Sequence, residues 1–539
     1  MLKVWATLPM LAVVLARLAG PMNVDDTDQS KQALYLIDVM QNGNWVLPME
    51  RGIEPATKPP VLTWIAAGLC APAGRPDYFV ARWVAALSAL VMAWLLYRIA
   101  SERWNESVGI AAAWILAASQ PVVLLCTHFR TDMLLAVALT GTLFALHRME
   151  RHGIQRGMAW LFWATVSFAV FVKGPPGLLV VMGAVAALLP SPRWRKILAG
   201  VARSPGWLLL LIPLGWFLLA YGVGGNPYVK FTVIRETFDR ATGTGTRAGS
   251  AHHPPGYLFV HFLAKCAPWS ILALLGVAIA MSKRGDAEVR EKLHLFAAWL
   301  VGPMILFNLS KGQRPDYLLP MLPAVSAMAA SLLLDPSARR TAVLWKASLW
   351  ISVAAGALLS FSALTGLGLR GLAADGGLPW AIGIGASAAL ICAGALHRPA
   401  PPGLLSRGLL LPLVGFLAAN LIYAGTVAPG SAARRGEALV AFSDAVRKER
   451  RPDDELHIYG TSITNGVHYY LGLNEPAVPA YLLPGLVEQH RSGRLLLATN
   501  RAGSSEIRQE WPGRFEVLAH LPQGRKTDAE HVLLATRSR

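Results

Sequence analysis

The chain has 539 residues, of which 54% are hydrophobic and 15% charged, with 18 tryptophans and a mean hydropathy of +0.42. Repeated apolar runs of roughly 20 residues, the length that spans a bilayer, exclude a soluble globular protein and predict a mainly α, polytopic transmembrane helical bundle. The net charge of +18 would point to nucleic acid in a soluble chain; here it fits the excess of Lys and Arg in cytoplasmic loops, so membrane lipid is an expected partner and nucleic acid is not.

In chain order, the first segment at 4–20 reads as a retained span, because Arg17-Leu18-Ala19-Gly20-Pro21 is a poor cleavage site. A hydrophilic first outer loop follows at 21–78. Spans are expected at 79–98, 107–120, 131–147, 158–172, 176–190 and 206–222, then a large polar outer loop at 223–256. Further spans are expected at 257–281, 293–309, 317–334, 343–367, 379–396 and 408–428, giving about thirteen in all. Alternate loops carry the basic residues, such as Arg98/Arg103, Arg148/Arg151/Arg156, Arg193/Arg195/Lys196/Arg203 and Arg339/Arg340. With the N-terminus inside, these loops are cytoplasmic, and an odd number of spans places residues after about 430 on the far side of the membrane.

The expected division is a membrane domain at 1–430 and an α/β domain at 431–539 that sits outside the cytoplasm. In the latter, 437–450 has the pattern of an amphipathic helix, with Leu439, Val440, Phe442 and Val446 on one side. Short apolar runs at 456–459, 467–471, 495–499, 515–518 and 531–535 are bounded by Gly, Asn, Pro and charge, as strands are. The cysteines Cys70, Cys126, Cys266 and Cys392 are scattered and indicate neither a disulfide framework nor a zinc site. No second half echoes the first, as it does in many secondary transporters.

The loops carry the chemistry. Asp25-Asp26-Thr27-Asp28 is an acidic cluster, and Lys58 precedes Pro59-Pro60. Arg130 and Asp132 open a span, Lys173 heads Lys173-Gly174-Pro175-Pro176, and Lys311, Arg314 and Tyr317 lie in one later loop. Ionisable groups at membrane depth are costly and tend to pair or to line a functional cavity. If these loops converge, they form a basic pocket suited to a phosphate on a lipid tail. Bland readings stand beside this one. A lysine at a span end can be a snorkelling anchor, Asp132 with Arg130 can be a structural ion pair, and Asp28 can cap the helix that follows. His252-His253 can be a metal site or ordinary loop histidines.

Taken in order, these motifs resemble the membrane-embedded GT-C glycosyltransferases, most closely the aminoarabinose transferases that modify lipid A and the related protein O-mannosyltransferases. The resemblance rests on Asp25-Asp26-Thr27, Asn42-Gly43-Asn44-Trp45-Val46-Leu47-Pro48, Thr57-Lys58-Pro59-Pro60, Arg130-Thr131-Asp132, Lys173-Gly174, His253-Pro254-Pro255-Gly256-Tyr257 with Pro268-Trp269, and Ser310-Lys311-Gly312 through Tyr317. It covers roughly residues 20 to 330. It implies inverting transfer of a sugar from a polyprenyl-phosphate donor to an envelope glycan, lipid or protein. Asp25, Asp26, Asp28 and Asp132 become the catalytic candidates. Lys58, Arg130, Lys173, His253, Lys311, Arg314 and Tyr317 become the carrier-phosphate candidates. No cofactor is required, and the sequence leaves a divalent metal open.

One departure matters: the family often has Glu before Lys-Pro-Pro, and Thr57 stands here, which weakens an aminoarabinose assignment. A flippase for a lipid-linked sugar would need a basic pocket too. It should also show internal repeats, broken helices and acids near mid-span, and the sequence has few mid-span charges. A non-catalytic assembly partner would explain the polar C-terminal region but not the ordered loop motifs.

Overall fold

A computed structural model of the chain describes residues 2–20, 24, 27–239, 242, 253–266, 269–282, 286–334, 428–460, 465–490, 494–521 and 531–537. They form two compact units. One comprises Met1–Gly20, Thr57–Leu62 and Arg82–Pro429; the other comprises Pro21–Ala56, Thr63–Ala81 and Gly430–Arg539. Sequence reading placed 21–78 with the membrane domain. In the structure, most of that loop clusters with the C-terminal residues.

The first unit is the membrane bundle. Among the described residues, Tyr78–Arg103, Thr131–His152, Pro205–Glu236, Ala287–Leu309 and Pro315–Leu334 are long and apolar enough to cross a membrane. The expected spans at 4–20, 107–120 and 176–190 coincide with shorter apolar helices, and 158–172 lies in helix Arg156–Lys173. Those at 343–367 and 379–396, and 408–428 up to its last residue, lie outside the described residues.

The expected span at 257–281 is made of two helices, Tyr257–Lys265 and Trp269–Met281, bent by 116°. The outer loop expected from 223 is helical in its first part. The helix Leu211–Val229 breaks at Gly225 (φ 59°, ψ −155°) and passes into a π-helix, Lys230–Asp239. Gly225 can adopt that left-handed conformation at little cost, so the chain turns without ending the helical run. Leu211, Ile212, Leu218, Leu219 and Val223 are exposed along this element, as expected of a lipid-facing surface.

At another end of the bundle, Arg103 is buried instead of acting as a loop cation. Its guanidinium grips Glu150 through both carboxylate oxygens (2.5 and 3.1 Å) and donates to the carbonyls of Glu291 and Lys292 at 2.7 and 3.1 Å. This bidentate geometry ties helices Tyr78–Arg103, Thr131–His152 and Ala287–Leu309 together.

The second unit contains a four-stranded sheet of β3 (Glu455–Ile458), β4 (Leu495–Asn500), β5 (Phe515–Leu521) and β6 (His531–Thr536), in the order β3-β4-β6-β5. β3 and β4 are parallel, and the other pairings are antiparallel. Helix Ala428–Glu449 buries Leu439, Phe442 and Val446 against one sheet face with Leu456, Ile458, Leu496 and Leu533, as its periodicity predicts. The strand expected at 467–471 is instead helix Asn465–Leu471. Val467, Tyr470 and Leu471 stand at i, i+3 and i+4, a helical spacing, and all three pack on that core. The first-loop part of the unit holds helix Thr27–Asn42 and a hairpin of β1 (Met49–Glu50) and β2 (Glu54–Pro55).

Candidate functional site

Local backbone rules deliver the polar side chains to one cavity of the membrane unit. Lys58 lines the cavity together with Thr57 and Pro59, and the proline that follows it restricts its backbone. Arg130 lies just before helix Thr131–His152 in an extended conformation (φ −142°, ψ 157°), which puts Asp132 in the first turn. Gly174 (φ 69°, ψ −141°) ends helix Arg156–Lys173 and starts helix Pro175–Leu188. Only glycine tolerates that conformation readily, and the prolines behind it occupy first-turn positions where a missing N–H is harmless. The loop before Tyr317 is pinned by Gln313. Its side chain accepts from Leu258 N at 3.0 Å and donates to the carbonyls of Asn308 (3.2 Å) and Ser310 (2.9 Å).

These segments build a charged knot. Asp132 is 4% exposed. One of its oxygens accepts from the Lys173 ammonium, and the other lies 3.0 Å from Arg130 Nε. Arg130 Nη2 reaches Asp316 Oδ2 at 2.7 Å. The Lys173 ammonium also lies 5.3 Å from the centre of the Tyr317 ring, close enough for a cation–π contact. Both Asp132 oxygens therefore face cations, an arrangement that fixes where Lys173 and Arg130 point.

The knot borders a cavity of about 410 Å³. Lys58, Arg130, Lys173 and Arg314 supply positive charge to its lining, with Asp132, Glu236, Thr57 and Thr232 as further polar groups. The remaining wall is apolar, formed by Val170, Leu178, Leu179, Phe217, Val233 and Phe307. A lining with both cationic and apolar side chains can hold an anionic head and a hydrocarbon tail together.

Lys311 is exposed and does not line the cavity. His253 lies outside the lining as well. Its ring stacks on Tyr257 with centroids 3.5 Å apart, and its amide donates to the Lys311 carbonyl at 3.5 Å. Asp28 is in the first turn of helix Thr27–Asn42, where a negative charge complements the helix dipole. Asp25, Asp26 and His252 lie outside the described residues. Among the described residues, no three His, Cys, Asp or Glu side chains could hold a metal ion.

The Asn42–Trp45 motif is a structural turn. Buried Asp38 accepts from Asn42 Nδ2 (2.7 Å), Asn44 Nδ2 (3.0 Å) and Met49 N (2.7 Å). Sequence reasoning missed Asp38, Gln313, Asp316 and Glu236. Asp316 sat in plain view inside the motif that ends at Tyr317, and its one-turn spacing from Gln313 was the available signal.

Residues 57–219 match the dolichyl-phosphate-mannose-protein mannosyltransferase family. An undecaprenyl phosphate-alpha-4-amino-4-deoxy-L-arabinose arabinosyl transferase of Pseudomonas aeruginosa (strain LESB58) is 26% identical over 312 residues, 57% of this chain and 55% of the relative. A second such transferase, from Proteus mirabilis (strain HI4320), is 25% identical over 346 residues, 62% of this chain and 60% of the relative. The chain thus matches little more than half the length of these curated relatives. The crystal structure of ArnT from Cupriavidus metallidurans bound to undecaprenyl phosphate superposes with a TM-score of 0.75 at 17% identity, covering 99% of this chain and 97% of that one.

The fold is the one seen in ArnT from Cupriavidus metallidurans, built here on several helices long and apolar enough to cross a membrane. In sequence, the chain resembles the aminoarabinose transferases and, over residues 57–219, the dolichyl-phosphate-mannose-protein mannosyltransferase family.

Proposed function

We propose that the protein transfers a sugar from a polyprenyl-phosphate donor to an envelope acceptor at the periplasmic face of the inner membrane, with inversion at the anomeric carbon. The observation that carries this reading is a cavity lined both by the cations Lys58, Arg130, Lys173 and Arg314 and by the apolar side chains Val170, Leu178, Phe217 and Phe307. The carrier phosphate takes the cations and the prenyl chain takes the apolar side chains.

In the reaction, an acceptor oxygen attacks the anomeric carbon while the bond from that carbon to the phosphate oxygen breaks. The electron pair leaves with the phosphate, where the fixed cations stabilise the growing charge. The acceptor's proton passes to a first-loop carboxylate, for which Asp25, Asp26 and Asp28 are the candidates. General-base help of this kind is worth roughly 10²–10⁴-fold. The Pseudomonas aeruginosa and Proteus mirabilis relatives are named for an undecaprenyl phosphate-linked aminoarabinose donor, and lipid A is the acceptor that the resemblance to the aminoarabinose transferases implies.

The test uses purified full-length protein with undecaprenyl-phosphate-linked aminoarabinose and lipid A. Free undecaprenyl phosphate should appear in step with modified lipid A. Lys58→Ala should weaken undecaprenyl phosphate binding by roughly 10- to 100-fold, the range for losing a hydrogen bond to a charged group. Neutralising Asp25, Asp26 and Asp28 together should abolish transfer while leaving that binding intact. Movement of the donor across the bilayer without its consumption would establish the flippase reading instead.

A further inference from the structure

The second compact unit joins stretches of chain more than 400 residues apart, and the hydrogen bonds that do so converge on the first loop. Tyr470 Oη accepts from Val24 N at 2.8 Å. Val24 is buried and immediately precedes Asp25-Asp26. Asn474 uses both ends of its amide: Oδ1 accepts from Arg51 N at 2.7 Å, and Nδ2 donates to Met49 O at 3.1 Å. Asn465 Nδ2 donates to Glu50 Oε1 at 2.7 Å, and the other Glu50 oxygen lies 2.9 Å from Lys31 Nζ on helix Thr27–Asn42. That helix packs along helix Asn465–Leu471.

The anchored hairpin is one that local preferences alone would not hold. Arg51 has φ 53° and Gly52 has φ 65°. A non-glycine residue in the left-handed region is disfavoured and persists only where its surroundings fix it. Asn474, far away in sequence, takes the amide of that residue.

We propose that Tyr470 and Asn474 are positioning residues, through which the C-terminal polypeptide holds the backbone at Val24 and the helix that carries Asp28. Tyr470 fixes the backbone one residue before Asp25. Asn474 fixes the hairpin whose Glu50 holds the helix that begins beside Asp28. The C-terminal region then works as a template for the catalytic loop, beyond any contact it makes with acceptor. This rests on the reading of Asp25, Asp26 or Asp28 as the proton acceptor.

The test compares Tyr470→Phe with Asn474→Ala in the full-length protein. Tyr470→Phe keeps the ring, which meets Tyr469 with centroids 5.3 Å apart, and removes only the hydroxyl. Hydrogen exchange at Val24 and at the start of helix Thr27–Asn42 should quicken by roughly fivefold, the factor for one ordinary hydrogen bond, with β4 and β6 unchanged. With undecaprenyl-phosphate-linked aminoarabinose and lipid A, kcat should fall by at least as much while KM for the donor stays within twofold. Asn474→Asp, which keeps the acceptor for Arg51 N, should recover part of the Asn474→Ala loss. Tyr470→Phe should add nothing in a chain whose three first-loop acids are already Asn.

Unchanged exchange, or an unchanged kcat, overturns the proposal. A rise in the KM for lipid A alone also overturns it, because the C-terminal region then acts on acceptor binding. If the three-Asn chain transfers at the normal rate, the reading of the acids fails, and the exchange data still decide whether Tyr470 holds the loop.

Discussion

At the residue scale, Asp132 is the hub of the membrane unit. It is buried and shares its two oxygens between Lys173 and Arg130, and Arg130 goes on to Asp316. A buried ion pair adds little net stability over an apolar pair of similar shape, yet breaking one side leaves a stranded charge at about 3–5 kcal/mol. Asp132→Asn should therefore lower the thermal midpoint in detergent more than Lys173→Met does, because it strands two cations. The double variant Asp132→Asn/Lys173→Met should be more stable than Asp132→Asn alone. Strictly additive midpoints would mean that the two residues are not coupled. The sequence made Asp132, Arg130 and Lys173 visible because charge beside a span is rare and Gly or Pro stood next to it. It did not show that Asp132 spends both oxygens on cations, since Asp132 and Lys173 are 41 residues apart and the contact is set by how two helices pair.

At the element scale, the cavity depends on helices that meet without side chains between them. A Cβ placed on Gly302 would lie 2.0 Å from the Gly183 carbonyl oxygen, and one on Gly183 would lie 2.6 Å from Gly302 C. Helices Pro175–Leu188 and Ala287–Leu309 thus touch backbone to backbone, as small residues allow in membrane bundles. Pro175 and Pro176 of the first helix and Phe307 of the second line the cavity, so this contact sets the spacing of its walls. Gly302→Val should push the helices apart, cost roughly 1–3 kcal/mol as overpacking does, and weaken undecaprenyl phosphate binding. Gly215→Ala, on helix Leu211–Val229 with open space around it, should leave both properties near normal. Equal behaviour of the two variants would show that the close approach does not shape the cavity.

At the scale of the whole molecule, hydropathy made the helices legible because the bilayer demands apolar length. It could not reveal that 21–56 and 63–81 form one compact unit with 430–539, since Tyr470, Asn474 and Asn465 look like ordinary polar residues of a small domain until their distant partners are seen. That discontinuous unit also carries a built-in response to acid. His468 is buried in helix Asn465–Leu471, and burial, aided by the Arg51 charge, depresses its imidazole to about 4. His531 starts β6 with its ring centroid 5.3 Å from that of Phe442, and burial depresses it to about 4 as well. Both are neutral in the folded unit at pH 7. Unfolded, each would take a proton near the usual imidazole value of about 6.5. The unfolded chain therefore binds more protons as pH drops from about 6.5 to about 4, and by linkage the unit loses stability across that window. The loss should level off below about 4, where the folded form also protonates. His490 opposes the trend. Its Nδ1 faces the Leu486 carbonyl and its Nε2 faces Glu455, which raises its pKa, but it lies on an exposed side of the unit and its share is small in water. Hydrogen exchange in β4 and β6 of the full-length protein, corrected for the intrinsic rate, should rise on going from pH 7 to pH 4.5, and His468→Leu should flatten the rise by removing one of the two buried sites. If exchange instead slowed on acidification, the exposed Glu455–His490 pair would outweigh the two buried rings, and the assignment of His468 and His531 as neutral in the folded unit would fall.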